Sequence, residues 1–295
     1  MPKALPPLNP SLGEQKLSNL ITAPGVLTPV MLALKTDVAS SESMSRIIAV
    51  FHQAGGVGKS TGVQNLGYQL SQRGHRVLLV DMDPQGSLST FMGLDPVALD
   101  KKQTIYEAVV REASLPIHRD IYSMDLVPAN LDFCAAEMEL VMADLRDFRL
   151  QYALEPVQND YDFILLDCPP SLGILTYISL VAASHVLVPV ETQFKAFQSL
   201  ELLLHTVKRV QVRPNRNLGI AGFVPTKYDS RNSLDKEILL AMQEQLSSLG
   251  KVYPPIVRST ALADATRARK PLALYEPKHP AVTAFNQLAQ GIENL

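Results

Sequence analysis

The stretch Gly55-Gly56-Val57-Gly58-Lys59-Ser60 stands between an apolar run, Ile47-Ile48-Ala49-Val50-Phe51, and a helix-like stretch from Val63 to Leu70. A strand, a glycine loop ending in Lys-Ser and then a helix is the setting that a phosphate-binding loop needs. Gly55, Gly56 and Gly58, with Val57 between them, let backbone N–H groups approach phosphate oxygens that side chains would hold off. In that arrangement Lys59 brings positive charge to the β- and γ-phosphates, and the Ser60 hydroxyl ligates Mg²⁺. Thr61 is expected over the α-phosphate. The common pattern G-x-x-x-x-G-K-[ST] asks for glycine at position 53, where this chain has Gln53.

Two later stretches add to the loop. Arg76-Val77-Leu78-Leu79-Val80-Asp81-Met82-Asp83-Pro84-Gln85-Gly86 reads as a buried strand running into two carboxylates, and Tyr161-Asp162-Phe163-Ile164-Leu165-Leu166-Asp167-Cys168-Pro169-Pro170-Ser171 as a second. Together the three resemble the deviant Walker A, second motif and Walker B of the ParA/MinD family of dimerising ATPases, over roughly residues 46–290. The resemblance implies ATP and Mg²⁺ as cofactors, with Ser60, Asp83 and Asp167 around the metal and Lys59 and Asp83 in catalysis. Asp83 would orient the attacking water; Asp81 is the alternative carboxylate, able to cap the next turn or reach Mg²⁺. The late strands ending in Pro225-Thr226 and before Arg258 are expected to flank the adenine, and Arg258 has DNA as a second assignment.

The chain departs from this family at one telling position. The family loop begins Lys-Gly-Gly, and that first lysine reaches the partner's nucleotide across the dimer; here Ala54 stands in its place. Lys195 lies just past the apolar run 185–190 and is expected to supply the missing trans charge, against the plainer reading of a solvated lysine at a helix start. That replacement is similar to the McdA branch, which spaces carboxysomes, and to cyanobacterial plasmid-partition relatives.

From Arg46 onward short apolar runs at 47–51, 76–81, 124–127, 162–167, 185–190, 219–224 and 252–256 alternate with helical stretches. The helical stretches are 59–72, 103–112, 131–148, 172–182, 197–212, 232–248, 259–268 and 280–293. Continuous apolar strands alternating with helices predict an α/β fold, a doubly wound, mostly parallel sheet of the P-loop NTPase type. One ATPase domain is expected over 44–295, behind a Pro-rich extension, residues 1–43, with little stable structure.

The chain is near neutral, with a formal net charge of −2, but residues 195–280 carry 14 Lys and Arg against 7 Asp and Glu. That asymmetry, with the family resemblance, implies non-specific DNA binding through backbone phosphates, opposed by the reading that these residues only solvate helices. The resemblance also implies an ATP-dependent homodimer and a ParB-like or McdB-like adaptor that stimulates hydrolysis, in the cytoplasm on the nucleoid. A MinD-like membrane regulator is the alternative. It needs a basic amphipathic helix, and the stretch Ala284–Leu295 has no Lys or Arg. Two cysteines, Cys134 and Cys168, make neither a disulfide framework nor a metal set, which argues against a cluster carrier on the same fold. His52, beside the loop, reads as a packing residue.

Overall fold

Strand side chains alternate between two cores, and that alternation organises the molecule. The computed structural model describes residues 45–193 and 200–295. Its strands are β1 (Arg46–Val50), β2 (Val77–Asp81), β3 (His118–Ile121), β4 (Met124–Val127), β5 (Phe163–Asp167), β6 (His185–Glu191) and β7 (Gly219–Thr226). They form one sheet in the order β3-β4-β2-β5-β1-β6-β7. Every pairing is parallel except β3 with β4. Ile47 and Ala49 of β1 enter one core, with Leu78 and Val80 of β2 and Ile164 and Leu166 of β5. Ile48, Val50, Leu79 and Leu165 enter the other. A strand covered on both faces has no solvent side, which is why these runs are apolar without a break.

Helices cover both faces. On the first lie α3 (Ile105–Arg111), α4 (Cys134–Val141), α5 (Arg149–Leu154), α6 (Ile174–Ala182), α7 (Leu200–Val212) and α8 (Ser233–Leu246). On the second lie α1 (Lys59–Gln72), α2 (Ser87–Phe91), α9 (Thr260–Arg267), α10 (Leu272–Tyr275) and α11 (Pro280–Glu293). α1 approaches the sheet closely at Gly67, where a Cβ would meet Leu79 Cδ2 at 2.7 Å and Met124 Sδ at 2.9 Å. The doubly wound sheet and the bounds of α1 and α11 agree with the sequence reading.

Three stretches differ from expectation. The helix expected over 131–148 is broken into α4, a 3₁₀ turn at Arg146–Phe148 and then α5. The helix ends at Val141, and a turn over 142–145, in which Leu145 takes φ +50°, redirects the chain so that Leu150 and Leu154 reach the core. The strand expected at 252–256 makes only isolated bridges, Phe223 to Val252 and Tyr228 to Val257. Pro254 and Pro255 between them have no N–H to give a ladder. β3 was not foreseen: it is polar and half exposed, and its turn puts Tyr122 and Ser123 at positive φ without glycine or asparagine to announce it. The extension 1–43 and the first three residues of the helix expected at 197–212 lie outside the described residues.

β7 carries the irregularity that matters for the site. The register against β6 shifts between Val186 and Leu187, and Gly222 opposite takes φ +141°. A Cβ there would stand 2.4 Å from the Lys251 carbonyl and 2.6 Å from the Tyr253 ring. Gly222 thus lets residues 251–258 pass directly beside β7 on their way to the loop edge. Gly222→Ala should therefore cost about 2–4 kcal/mol of stability, a left-handed strain plus a backbone clash. Urea unfolding monitored by circular dichroism measures it, and a midpoint equal to wild type would contradict the argument.

Candidate phosphate-loop and carboxylate site

The loop after β1 is built to leave donors free. Gly56 and Gly58 take left-handed φ values of +72° and +94°, and Gly58 caps α1 without any side-chain hydrogen bond to its first turn. The N–H groups at that helix start therefore remain for a ligand, beside the positive end of the helix dipole. A Cβ placed on Gly55 or Gly56 would meet no protein atom within 4 Å, so the positive φ of Gly56, rather than crowding, is what asks for glycine there. Side chains fix the loop from outside. Ala54 N–H donates to His52 Nδ1 at 3.0 Å, and the Thr226 hydroxyl donates to the Val57 carbonyl at 2.9 Å. Lys59 is buried and its Nζ donates across the loop to the Ala54 carbonyl at 3.0 Å. Burial pushes the Lys59 pKa down, while Asp167, Cys168 and Asp83 pull it back up. Ser60 and Thr61 open α1 and are half-buried.

Sheet register brings the carboxylates to this loop. Asp167 ends β5, paired with Val50 of β1 on one side and Asp81 of β2 on the other. Asp81 is spent on structure: it accepts from Ser89 N–H at 2.8 Å and Ser89 Oγ at 2.7 Å, and from Asp83 N–H at 3.1 Å. Ser89 Oγ in turn accepts from Ala129 N–H at 3.0 Å. Asp81 therefore pins α2 and the end of β4; of the two roles it was given, capping is the one its hydrogen bonds occupy. Burial raises it to about 7 against those bonds. Asp83 is half-buried, accepts from Gln85 N–H at 2.9 Å and lies near enough to act on the charges of Lys59 and Asp167.

Asp167 differs from both. It is fully buried, and neither carboxylate oxygen has a hydrogen-bond partner among the described residues. Burial and the Asp81 charge push its pKa well above the usual carboxylate range, and the nearby Ser60 hydroxyl and Lys59 ammonium offset part of that push. An unsatisfied buried carboxylate beside a hydroxyl and free N–H groups fits a hard cation held with water and phosphate oxygens. The described residues gather no set of three or more His, Cys, Asp or Glu that could hold a metal by themselves. A Mg²⁺ here would rest on Ser60 and Asp167, with Asp83 close by.

Behind the loop lies a cavity of about 540 Å³, walled by Gly58, Thr61, Leu187, Ile256, Arg258 and Phe285 among others. Its mostly apolar walls and polar rim suit a flat aromatic base. Thr226 lines it, but Pro225 does not; the Pro225 carbonyl instead accepts from Ile256 N–H at 2.8 Å and holds that wall in place. Glu191, which the sequence reading passed over, anchors the rim through Lys227 at 3.2 Å and Arg258 at 3.6 Å. Asp235 is another unforeseen support, accepting from the Thr192 hydroxyl at 3.0 Å and from Asp229 N–H at 2.8 Å. Lys195 lies outside the described residues.

Other expectations are sorted by burial. Cys168 is buried, with its thiol pushed up to about 12, while Cys134 is exposed on α4. The exposed basic residues lie on both layers: Arg209, Arg213 and Arg216 on and after α7, and Arg267, Arg269, Lys270 and Lys278 around α9 to α11. They are not gathered on one helix layer.

Two measurements follow. Asp81 has a folded pKa of about 7 and an unfolded one near 3.9, so the folded chain holds a proton that the unfolded chain releases between those values. Its contribution is present below about pH 4 and lost as pH rises towards 7. Nucleotide-free protein in chelator should lose stability over that window, and Asp81→Asn should flatten the slope in denaturant titrations. Thr226→Val leaves the Val57 carbonyl without its donor and should weaken ATP binding by roughly tenfold in calorimetry while the fold persists.

Comparison with known proteins accords with this geometry. A family model described as an AAA domain matches residues 45–220. The chromosome partitioning protein ParA of Caulobacter vibrioides is 36% identical over 84% of this chain and 93% of its own length. A crystal structure of Mycobacterium smegmatis cobyrinic acid a,c-diamide synthase, with ADP and magnesium bound, superposes with a TM-score of 0.73 at 34% identity, over 84% of this chain and 93% of that one. Apo McdA of Cyanothece superposes at 0.74 over 85% and 98%, but at 22% identity that likeness bears on the fold alone. Shared sequence along most of both chains, a shared fold and a phosphate loop set against the buried Asp167 carboxylate lead to one conclusion: the chain belongs to the ParA family of Walker A ATPases.

Proposed function

We propose that this protein is a Mg²⁺-dependent, slow ATPase whose ATP-bound form is a sandwich dimer that binds DNA without sequence preference. It moves or partitions a cargo over the nucleoid, in the cytoplasm, with an adaptor that stimulates hydrolysis. The observation that carries the ATP reading is the Asp167 carboxylate, fully buried beside Lys59 and the Ser60 hydroxyl at an uncapped helix start, with no other hydrogen-bond partner among the described residues. The partition reading draws support from the name of the Caulobacter relative. Chromosome, plasmid and carboxysome all remain cargoes of the same mechanism.

Phosphoryl transfer depends on positioning and charge neutralisation more than on covalent chemistry. Bound magnesium nucleotide supplies the transferable γ-phosphoryl group. The loop N–H groups of Gly55 to Gly58 orient the phosphates, and Lys59 leaves the Ala54 carbonyl to offset their charge. Asp83 holds the attacking water. Asp167 is followed by Pro169-Pro170-Ser171, whose Ser171 carbonyl accepts from the Thr176 hydroxyl at 2.7 Å, so a change at Asp167 reaches α6. Lys195 supplies the trans charge that Ala54 lacks. The DNA contacts are expected from the exposed arginines at the end of α7 or those around α9.

The membrane-regulator alternative finds no support in α11. Its apolar residues Ala281, Ala284, Phe285, Leu288, Ala289 and Ile292 are buried in the core, and Thr283, Gln287 and Gln290 face outwards. A membrane-bound helix needs that apolar face for lipid.

Light scattering with ADP or with ATP and Mg²⁺, on Asp83→Ala and on Asp83→Ala/Lys195→Ala, tests the reading together with fluorescence anisotropy on random-sequence DNA. ATP should shift the single variant from monomer to dimer and create DNA affinity that falls steeply with salt. The double variant should stay monomeric. No change in mass or DNA affinity with ATP would sink the proposal, and equal dimerisation of both variants would remove Lys195 from it. Turnover that required a small-molecule acceptor would favour the synthase chemistry named for the Mycobacterium smegmatis neighbour.

A further inference from the structure

α4 carries a second apolar stripe that the core does not use. Towards the sheet the segment buries Phe133, Ala136 and Leu140, the three-and-four spacing of one helix face. Cys134, Met138 and Val141 repeat that spacing on the other side of α4, and Met142 and Leu145, in the turn that follows it, are exposed as well. Met138 is 77% exposed, Met142 88% and Leu145 64%, and Leu131 at 61% extends the stripe. Exposed large apolar side chains gathered on and beside one short helix suit a docking surface. Around it Asp132, Glu137 and Asp144 are acidic; Glu139 is already held by the Tyr106 hydroxyl at 2.8 Å and by Arg111 at 3.3 Å, and Arg146 closes the far end by donating to the Val141 carbonyl at 2.8 Å.

The chain carries a segment of matching chemistry. Between Lys16 and Lys35 there is no charged residue, and the stretch includes Val26-Leu27 and Val30-Met31-Leu32-Ala33-Leu34. This is the reverse of the charged, apolar-poor composition that keeps a tail in solvent. An apolar run bracketed by lysines matches an apolar stripe rimmed by carboxylates. The reach is sufficient. Just beyond the last residue of α6, Ser184 N–H donates to the Ile47 carbonyl at 2.8 Å, near where the described chain begins. Just before its first residue, Gly173 lies against Glu137 of α4, where a Cβ would stand 2.7 Å from Glu137 Oε1. The 9 residues of α6 span about 14 Å. Residues 35–44, which join Leu34 to Ser45, extend to about 35 Å.

We propose that residues 26–34 dock on the exposed stripe of α4 in the same chain, with Lys16 and Lys35 against the carboxylates of Asp132, Glu137 and Asp144. Because α4 touches Gly173, a covered stripe braces the segment that follows Asp167. The proposal does not depend on DNA binding or on dimerisation.

Native Cys134 lies on the stripe and reports occupancy directly. In the full chain, Thr28→Cys and Ala33→Cys are made in turn and oxidised in a glutathione buffer at low protein concentration. Cys168 does not compete, because it is buried with its thiol pushed up to about 12. Mass spectrometry of the fragments should find the introduced thiol bonded to Cys134 of the same chain, with a yield independent of protein concentration. Met138→Asp should lower that yield by about tenfold, since docking would then bury a carboxylate. Hydrogen exchange gives a second readout without introduced cysteines: Val30→Asp/Leu32→Asp should speed exchange across residues 134–145 by at least about tenfold. Bonds formed only between chains, rising with concentration, would overturn the proposal, because the stripe would then be an interface between copies. Absence of the bond, with exchange at 134–145 unchanged by Val30→Asp/Leu32→Asp, would overturn it as well.

Discussion

The fully buried carboxylate of Asp167 is the constraint around which the site is arranged. Asp167 cannot be solvated, since it ends a strand covered on both faces, and it accepts no hydrogen bond among the described residues. Such a group costs several kcal/mol of electrostatic free energy unless something neutralises it. Lys59 lies close enough to help, but its ammonium is directed to the Ala54 carbonyl. A divalent cation held with phosphate oxygens would neutralise that charge. Replacing Asp167 by a neutral residue would stabilise the nucleotide-free fold at the expense of the chemistry, the usual trade at a functional centre.

The supports around Asp167 come from far along the chain but act locally. Thr226 ends β7 and fixes the Val57 carbonyl 169 residues earlier. Gly222 lets the chain pass close beside β7, and the Pro225 carbonyl then seats Ile256 in the cavity wall. Glu191 at the end of β6 holds Lys227 and Arg258 along the rim. Thr226, Pro225 and Glu191 lie at the carboxyl ends of β7 and β6, where doubly wound sheets present ligands, and Gly222 lies within β7. Rigid strands set the spacing, and short side-chain bonds complete it.

Much of this was legible in the sequence because the decisive signals are local. Gly56, Gly58 and Lys59 write the loop, and unbroken apolar runs such as Phe163–Asp167 write the buried strands. What the sequence concealed depends on tertiary geometry. Asp81 and Asp83 look alike as letters, and only the position of Ser89 separates a capping carboxylate from one that faces the loop. His52 read as packing, yet its Nδ1 shapes the loop by accepting from Ala54. The break after Val141 left no mark in the hydrophobic spacing, which runs through it unaltered. Tyr122-Ser123 gave no turn signal for β3, since neither residue type favours positive φ. Glu191 and Asp235 are ordinary acids until their partners are placed.

The two margins of the sheet limit how copies of this molecule can assemble. Among the described residues one margin is β3, short, polar and paired with β4 alone. The other is β7, flanked by residues 252–257, where two prolines interrupt the bridges that would continue a ladder. Both are poor templates for strand addition. Growth of an intermolecular sheet is thereby discouraged even at high local concentration, as when many molecules crowd on one polymer. Association is left to the carboxyl-terminal strand edge and the helix surfaces, which can be switched by what they hold; a strand edge, once paired, has no such release.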